Sequence, residues 1–386
     1  MIKNQFFLAI FLLSIEVGVL FLADHAKTKK YFDIIPSIFW IYFLPMVASS
    51  FGVIDAKSPL YTQAINMLLP VSLFILLMTV DIKAIFRLGS VALFMFFAGA
   101  FGIGLGVVCA FGLFKGIVGP QFWSGFGALS GSWTGGSANM IAVKEALGTP
   151  DAVFLPMVVV DTIVPYLWMG LLVIAAHHQG RYDQWAKADR RVLDEIGQRL
   201  QGALGTVGPM QWGASIGIVI LGVVGAAVAI YIAGLLPEIK NIITQYAWTI
   251  IVVSSLAICV SFTKARGAAA HGSNKIGYFI LYFVLTTIGA KASIAHIGTA
   301  VPLIAAGIVI VLIHAAVLLL TAKFLRAPLF LVAVASQANI GGVASTPMVA
   351  EIYQKGFASV GLLLAILGNL VGTYIGIAVG QFCRLL

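Results

Sequence analysis

Residues 131–140 read GSWTGGSANM and residues 336–346 read SQANIGGVAST. Each is a run of small and polar residues set in a long apolar neighbourhood. In hydrocarbon every backbone N–H and C=O needs an internal partner, so polar, irregular backbone at membrane depth persists only against protein or a watery cavity. If the surroundings are a membrane, these two stretches mark a site.

Composition says that they are. Of 386 residues, 61% are hydrophobic and 10% charged, and the mean hydropathy is +1.04. That leaves too little polar surface to cover a soluble globule, so the expected class is an all-α, multi-pass integral membrane protein. The net charge of +9 does not imply a nucleic-acid partner, because the basic residues cluster between apolar runs, where they set topology. Cys109, Cys259 and Cys383 lie within apolar runs without metal-ligand spacing.

The first apolar run, up to Ala23, loosely resembles a signal peptide but carries Glu16 and has no convincing small-residue cleavage site, so it reads as a first span. Lys27, Lys29 and Lys30 outweigh Lys3 and place the N-terminus outside. Further runs fall at 34–54, 60–80, 91–114, 121–147 and 152–176. After a hydrophilic segment at 177–211 they resume at 212–235, 242–263, 276–290, 299–322, 328–354 and 356–383. The hydrophilic segment carries Trp185, Val192, Ile196 and Leu200 at helical spacing, with Asp183/Lys187 and Glu195/Arg199 four apart. It reads as an amphipathic linker helix at the cytoplasmic surface.

The two halves repeat. Lys83 and Lys291 stand 208 residues apart, Gly135 and Gly341 206, Glu145 and Glu351 206, and the Asp161/Tyr166 and Asn369/Tyr374 pairs 208. Corresponding loops differ in charge: Lys83 and Arg87 face a counterpart with Lys291 alone, and the sparse loops at 55–59 and at Lys115 answer basic ones with Lys264, Arg266 and Lys275, and with Lys323 and Arg326. The halves therefore invert. Inversion demands an odd number of crossings per half, which is met if each glycine-rich stretch enters and leaves on the same side as a re-entrant hairpin; broken spanning helices would demand a further crossing that the polar linker cannot supply. The expectation is about ten transmembrane helices plus two such segments in two inverted-topology repeats.

Residue type gives the chemistry of the tips. Gly135, Gly136, Gly341 and Gly342 allow close backbone approach and unusual dihedrals, while half-helix ends present unpaired N–H groups to an anion and carbonyls to a cation. Ser132, Thr134, Ser137 and Asn139 in one tip, and Ser336, Gln337, Asn339, Ser345 and Thr346 in the other, add neutral donors and acceptors. Asp161, near the middle of an apolar span, costs ~2.5–3.5 kcal/mol to insert and is the expected ligand of Na⁺ or carrier of H⁺. Pro156 and Pro165 beside it suggest a locally unwound helix, and Asn369 and Thr373 supply neutral oxygens from the opposite repeat. A bland alternative treats the glycines as packing residues, which suits the five between Gly99 and Gly112 better than the polar tips. Glu16 reads as a site residue, a subunit contact or a snorkelling group. His314 reads as a proton relay or a satisfied packing residue, Glu145 and Glu351 as hairpin-end gates or structural pairs, and Lys83 and Lys291 as interfacial anchors.

The segments GSWTGGSANM and SQANIGGVASTPMVA, with the hydropathy around them, resemble the domain-of-unknown-function 819 family of multi-spanning membrane proteins across nearly the whole chain. That family is similar to the superfamily of sodium/glutamate symporters, bile-acid sodium symporters and cation/proton antiporters. The resemblance implies a core domain with the discontinuous helices, a scaffold domain that forms a homodimer, and elevator-type alternating access. It divides the chain into repeat 1 at 1–176 (scaffold spans 4–54, core 60–176), the linker 177–211, and repeat 2 at 212–386 (scaffold 212–263, core 275–386). The expected function is secondary active transport of a small organic anion coupled to Na⁺ or H⁺. The paired aspartates of electrogenic proton antiporters are missing from the sequence, which weakens the cation/proton antiporter alternative. A channel would need a continuous polar pore, whereas the polar groups concentrate at one depth. No enzyme is expected, since Asp161, Glu16 and His314 occupy separate spans, and no cofactor beyond the coupling ion.

Overall fold

An amphipathic surface helix hides its apolar stripe and wets the rest; the long helices of this chain are apolar on both faces. In α1 (Gln5–Asp24) Leu8, Leu12, Glu16 and Val19 are buried, yet Phe6, Phe7, Ile10, Val17 and Phe21 face outward. Burying one such side chain is worth about 1.5–3 kcal/mol, so an outward face of this kind requires lipid. The computed structural model describes residues 1–32, 37–200, 212–239, 244–263, 273–291 and 300–386, and shows helices without β-strands among them. Residues 34–36 of the second apolar run, 201–211 of the linker, Lys264 and Arg266 of the basic loop, and 292–294 beyond Lys291 lie outside the described residues.

After α1 the chain forms α2 (Lys29–Phe32), α3 (Ser37–Ser50), α4 (Pro59–Met78), α5 (Ile82–Phe86) and α6 (Gly89–Val118). Then come α7 (Trp123–Gly135), α8 (Ser137–Ala146), α9 (Asp151–Ala176), α10 (Gln179–Ala186) and α11 (Arg191–Leu200). The remainder is α12 (Trp212–Leu235), α13 (Gln245–Ser261), α14 (Ser273–Lys291), α15 (Ala300–Leu325), α16 (Leu329–Ile340), α17 (Gly342–Tyr353) and α18 (Ala358–Leu385). Seven of the described helices are long and apolar enough to cross a membrane: α1, α4, α6, α9, the Ile216–Leu235 stretch of α12, α15 and α18. The apolar helices α3 and α13 are shorter, at 14 and 17 residues. The chain is thus an integral, multi-pass helical membrane protein.

Contacts divide it into two compact units. The first takes the described residues of Met1–Thr79, Thr149–Thr162 and Gly208–Ala300. In it α14 packs on α3 and α4, α13 on α4 and α12, and α1 on α3 and α14. Gly289 lets α14 lie directly on the Tyr42 backbone of α3, where a Cβ would collide with the Tyr42 carbonyl. The Tyr246 hydroxyl of α13 donates to the Ile65 carbonyl of α4 at 3.1 Å.

The second unit takes Val80–Gly148, Ile163–Val207 and Val301–Leu386. Its principal contact is α18 against α7. Glycines 127, 131 and 135 of α7 meet glycines 380, 376 and 372 of α18 in antiparallel register, so that a Cβ on Gly376 would lie 2.8 Å from the Gly131 Cα. Such small-residue seams are how membrane helices gain close van der Waals packing where no hydrophobic effect drives them together. The glycines of α6 also act as packing residues: Cβ atoms on Gly102 and Gly106 would each reach the α15 backbone at 3.0 Å or closer.

The linker forms two helices rather than one, because Lys187 takes a left-handed φ of 52° and stops α10. Glu195 and Arg199 pair at 3.0 Å as their spacing predicts. Asp183 does not follow its predicted pairing with Lys187: its Oδ1 accepts from the Leu329 N–H at 2.9 Å, capping the start of α16, and its Oδ2 lies 3.9 Å from Arg190. The Asp189 N–H donates to the Arg326 carbonyl at 2.8 Å, and the Lys323 ammonium sits 3.3 Å over the Trp185 ring. Leu193, Ile196 and Leu200 form the buried face of α11. These contacts tie the linker to the entrance of α16.

Candidate functional site

Helix α7 is buried along its whole length from Ser124 to Gly135 and then stops. Gly136 has φ 81°, a conformation that side chains rarely tolerate, and α8 starts directly after it without a side-chain cap. Asn139 secures the break: its Nδ2 donates to the Gly135 carbonyl at 2.5 Å, and its Oδ1 accepts from the Thr373 hydroxyl of α18 at 2.5 Å. The seam with α18 brings Asn369 to the same point, its Oδ1 3.6 Å from where a Cβ on Gly136 would stand.

The second break is built the same way but bonded differently. All of α16 is buried, it ends at Gly341, and Gly342 takes φ 61° to begin α17. The Gln337 amide nitrogen donates to the Ser345 hydroxyl at 2.6 Å, which in turn donates to the Gly341 carbonyl at 2.9 Å. The Thr346 hydroxyl closes the next turn on the Gly342 carbonyl at 2.5 Å. This break is held by its own hairpin.

The two breaks face each other: a methyl group added to Gly342 would come within 4.0 Å of the Gly136 Cα. Of the residues of the two breaks, Gly136, Ser137, Gly341, Gly342, Ser345 and Asn369 are partly accessible, whereas Ser132, Thr134, Gly135, Asn139, Ser336, Gln337, Asn339, Thr346 and Thr373 are buried. Three buried acceptors, Thr134 Oγ1, Gln337 Oε1 and Asn339 Oδ1, have no hydrogen-bond partner among the described residues. The amide nitrogen of Asn339 is already spent on the Ala335 and Phe96 carbonyls at 2.8 and 3.2 Å. Unsatisfied buried acceptors cost roughly 1–3 kcal/mol each, so each of these oxygens favours a cation or a donor within its reach, while the equally unpaired indole N–H of Trp133 favours an acceptor. The uncapped N-termini of α8 and α17 favour negative charge.

Asp161 belongs by its packing to the first unit, while both breaks belong to the second; it is partly buried. The expected unwinding around it is not seen, for α9 runs as one helix through Pro156 and Pro165. Each proline removes a single backbone bond, a loss that neighbouring helices make tolerable in membrane proteins. His314 is a satisfied residue. The Gly99 carbonyl 2.8 Å away can only accept, so Nδ1 carries the proton, and Nε2 then accepts from the Ser336 hydroxyl at 2.9 Å. Ser336 also accepts from the indole N–H of Trp168 at 2.8 Å. This chain of bonds joins α6, α9, α15 and α16.

The paired glutamates close hairpin ends. Glu145 binds the buried Lys144 at 2.7 Å, and Glu351 accepts from the Gly356 N–H at 2.9 and 3.0 Å. Lys291 lies 3.6 Å from Asp151. Sequence reasoning missed Trp168 and the α7–α18 seam. The seam had a signal, the matched spacing GALSGSWTG and GTYIGIAVG; Trp168 had none, since a tryptophan in an apolar span suits a membrane belt equally well. Among the described residues no group of three or more His, Cys, Asp or Glu could hold a metal ion.

Fold and lipid-facing surface define the class, an integral multi-pass membrane protein with two helix breaks. The chain belongs to the family described as "Protein of unknown function (DUF819)", which matches residues 11–386. It is similar to "Uncharacterized membrane protein YjcL" of Bacillus subtilis (strain 168), with 26% identity over 358 residues covering 87% of each chain.

Proposed function

We propose that this protein is a secondary active transporter that moves a small organic anion coupled to Na⁺ or H⁺. The observation that carries the reading is the approach of the breaks at Gly136 and Gly342, which brings the uncapped starts of α8 and α17 near one another at partly accessible residues. Opposed broken helices are a recurrent way to bind an anion and its coupling cation at the bilayer midplane. We count α1, α3, α4, α6, α9, α12, α13, α14, α15 and α18 as crossings, and α7–α8 and α16–α17 as discontinuous segments of two inverted repeats. The core at 60–176 and 275–386, which holds both breaks and Asp161, is assigned the carrying role in elevator-type alternating access, and the spans at 4–54 and 212–263 the scaffold and the homodimer contact. Asp161 is assigned the coupling ion, since an ionisable residue in a span is retained at a cost.

The test is ligand-dependent stability of the purified protein against Na⁺, pH and a panel of carboxylates, amino acids and peptides. A ligand at a hundred times its Kd stabilises by about 2.7 kcal/mol, and the reading expects an anion whose effect grows with Na⁺ or with acidity. In proteoliposomes Asp161→Asn should lose that ion dependence. A variant that transports with unchanged ion dependence removes Asp161 from the mechanism.

A further inference from the structure

Glu16 stands outside everything assigned above. It occupies the third position of the buried stripe of α1, after Leu8 and Leu12 and before Val19, and its side chain is 0% exposed. The sequence leaves three placements open for it, and the structure selects the interior of the first unit over a subunit contact or a snorkelling position. Both carboxyl oxygens are buried without a hydrogen-bond partner among the described residues. The stripe on which it lies packs into an apolar cluster of Leu8, Leu12, Ile54, Tyr61 and Ala290. The elements packed on α1 are α2, α3 and α14, with Tyr61 of α4 joining through the cluster. Their titratable side chains are Lys29, Lys30 and Tyr31, then Tyr42 and Tyr61, then Lys275, Tyr278, Tyr282 and Lys291. Lys29, Lys30 and Lys275 are exposed, Lys291 lies 3.6 Å from Asp151, and neutral phenols supply no counter-charge.

An ionised carboxylate without a counter-charge or hydrogen bonds costs several kcal/mol in such surroundings, and the group takes up a proton instead. We propose that Glu16 is a proton-binding site: inside the first unit it carries H⁺ at neutral pH as an uncharged carboxylic acid. Binding forms one O–H bond on a carboxylate oxygen and cancels its charge; release returns H⁺ to water and requires α1 to open to solvent. The site is separate from the two breaks, and it stands whether or not the transport reading holds.

Infrared spectroscopy of the lipid-reconstituted protein at neutral pH tests this directly. The wild type should show the carbonyl stretch of a protonated carboxylic acid, Glu16→Gln should lose it, and Asp161→Asn should keep it. Gln is nearly isosteric with neutral Glu, so the variant should melt close to the wild type. A spectrum in which Glu16→Gln removes carboxylate intensity instead, or removes nothing, overturns the proposal. Peptide mapping of the unmutated protein after reaction with a hydrophobic carbodiimide, which attacks protonated carboxyls, is the readout that does not depend on a variant. An adduct on Glu16 at neutral pH supports the proposal, and an unmodified Glu16 contradicts it.

Discussion

The two helix breaks are alike in sequence and unlike in bonding. At the first, Asn139 reaches out of its hairpin to Thr373 of α18, and the α7–α18 glycine seam presses a second helix against the break. At the second, Gln337, Ser345 and Thr346 bond within their own hairpin, and the links to other helices run through Ser336 and Asn339. The two stretches therefore share the glycine that turns the chain but not the partners that hold the turn. The first break should answer to changes in α18, the second to changes inside its own loop.

The largest effect should come from the seam. Gly372→Leu drives a side chain into the Gly135 backbone, which a mere Cβ would already approach to 2.7 Å. Overpacking against backbone costs about 1–3 kcal/mol or more, so the variant should lose monodisperse protein in size-exclusion chromatography, whereas Gly217→Leu, at a position with open space, should not. Next comes Asn139→Ala, which strands the buried Gly135 carbonyl and the Thr373 hydroxyl at a cost of roughly 1–3 kcal/mol. Ser345→Ala should cost less, about 0.5–1.5 kcal/mol, because its hairpin is partly accessible and water can replace the lost bond. Thermal melts that ranked Ser345→Ala above Asn139→Ala would break the comparison. The smallest effect belongs to the linker. Hydrogen bonds from the Arg191 side chain and backbone lower the Asp189 carboxyl from its ordinary 3.8 to about 2. A depressed carboxylate stabilises above its unfolded value and loses that contribution as pH falls through the folded one. The Asp189→Asn difference in melting should therefore be small at neutral pH, diminish with salt and vanish near pH 2.

Lipid makes part of this fold easy to read. Because both faces of a spanning helix stay apolar, long helices such as α6 and α15 stand out in the sequence, as do the polar glycine pairs that interrupt the pattern at α7–α8 and α16–α17. What hydropathy cannot carry is direction. Glu16 lies on the buried stripe of α1 and not on its lipid face, yet both faces are equally apolar in sequence. Asp183 at i,i+4 from Lys187 looks like a local ion pair, but one left-handed residue frees it to cap a helix 146 positions away. Pro156 and Pro165 mark a weakened helix in any single-segment reading, whereas α9 stays whole. The matched glycine spacing in α7 and α18 was legible only as a pair, since neither stripe alone names its partner.

The most direct test of the facing breaks as a binding site is thiol accessibility at their partly exposed serines. Ser137→Cys and Ser345→Cys would be introduced after replacing Cys109, Cys259 and Cys383, and probed in sealed vesicles with a membrane-impermeant reagent. The account predicts that both positions are labelled from an aqueous phase, and that a stabilising anion slows the labelling of both together. Two thiols that stay refractory from either side in every condition would contradict it.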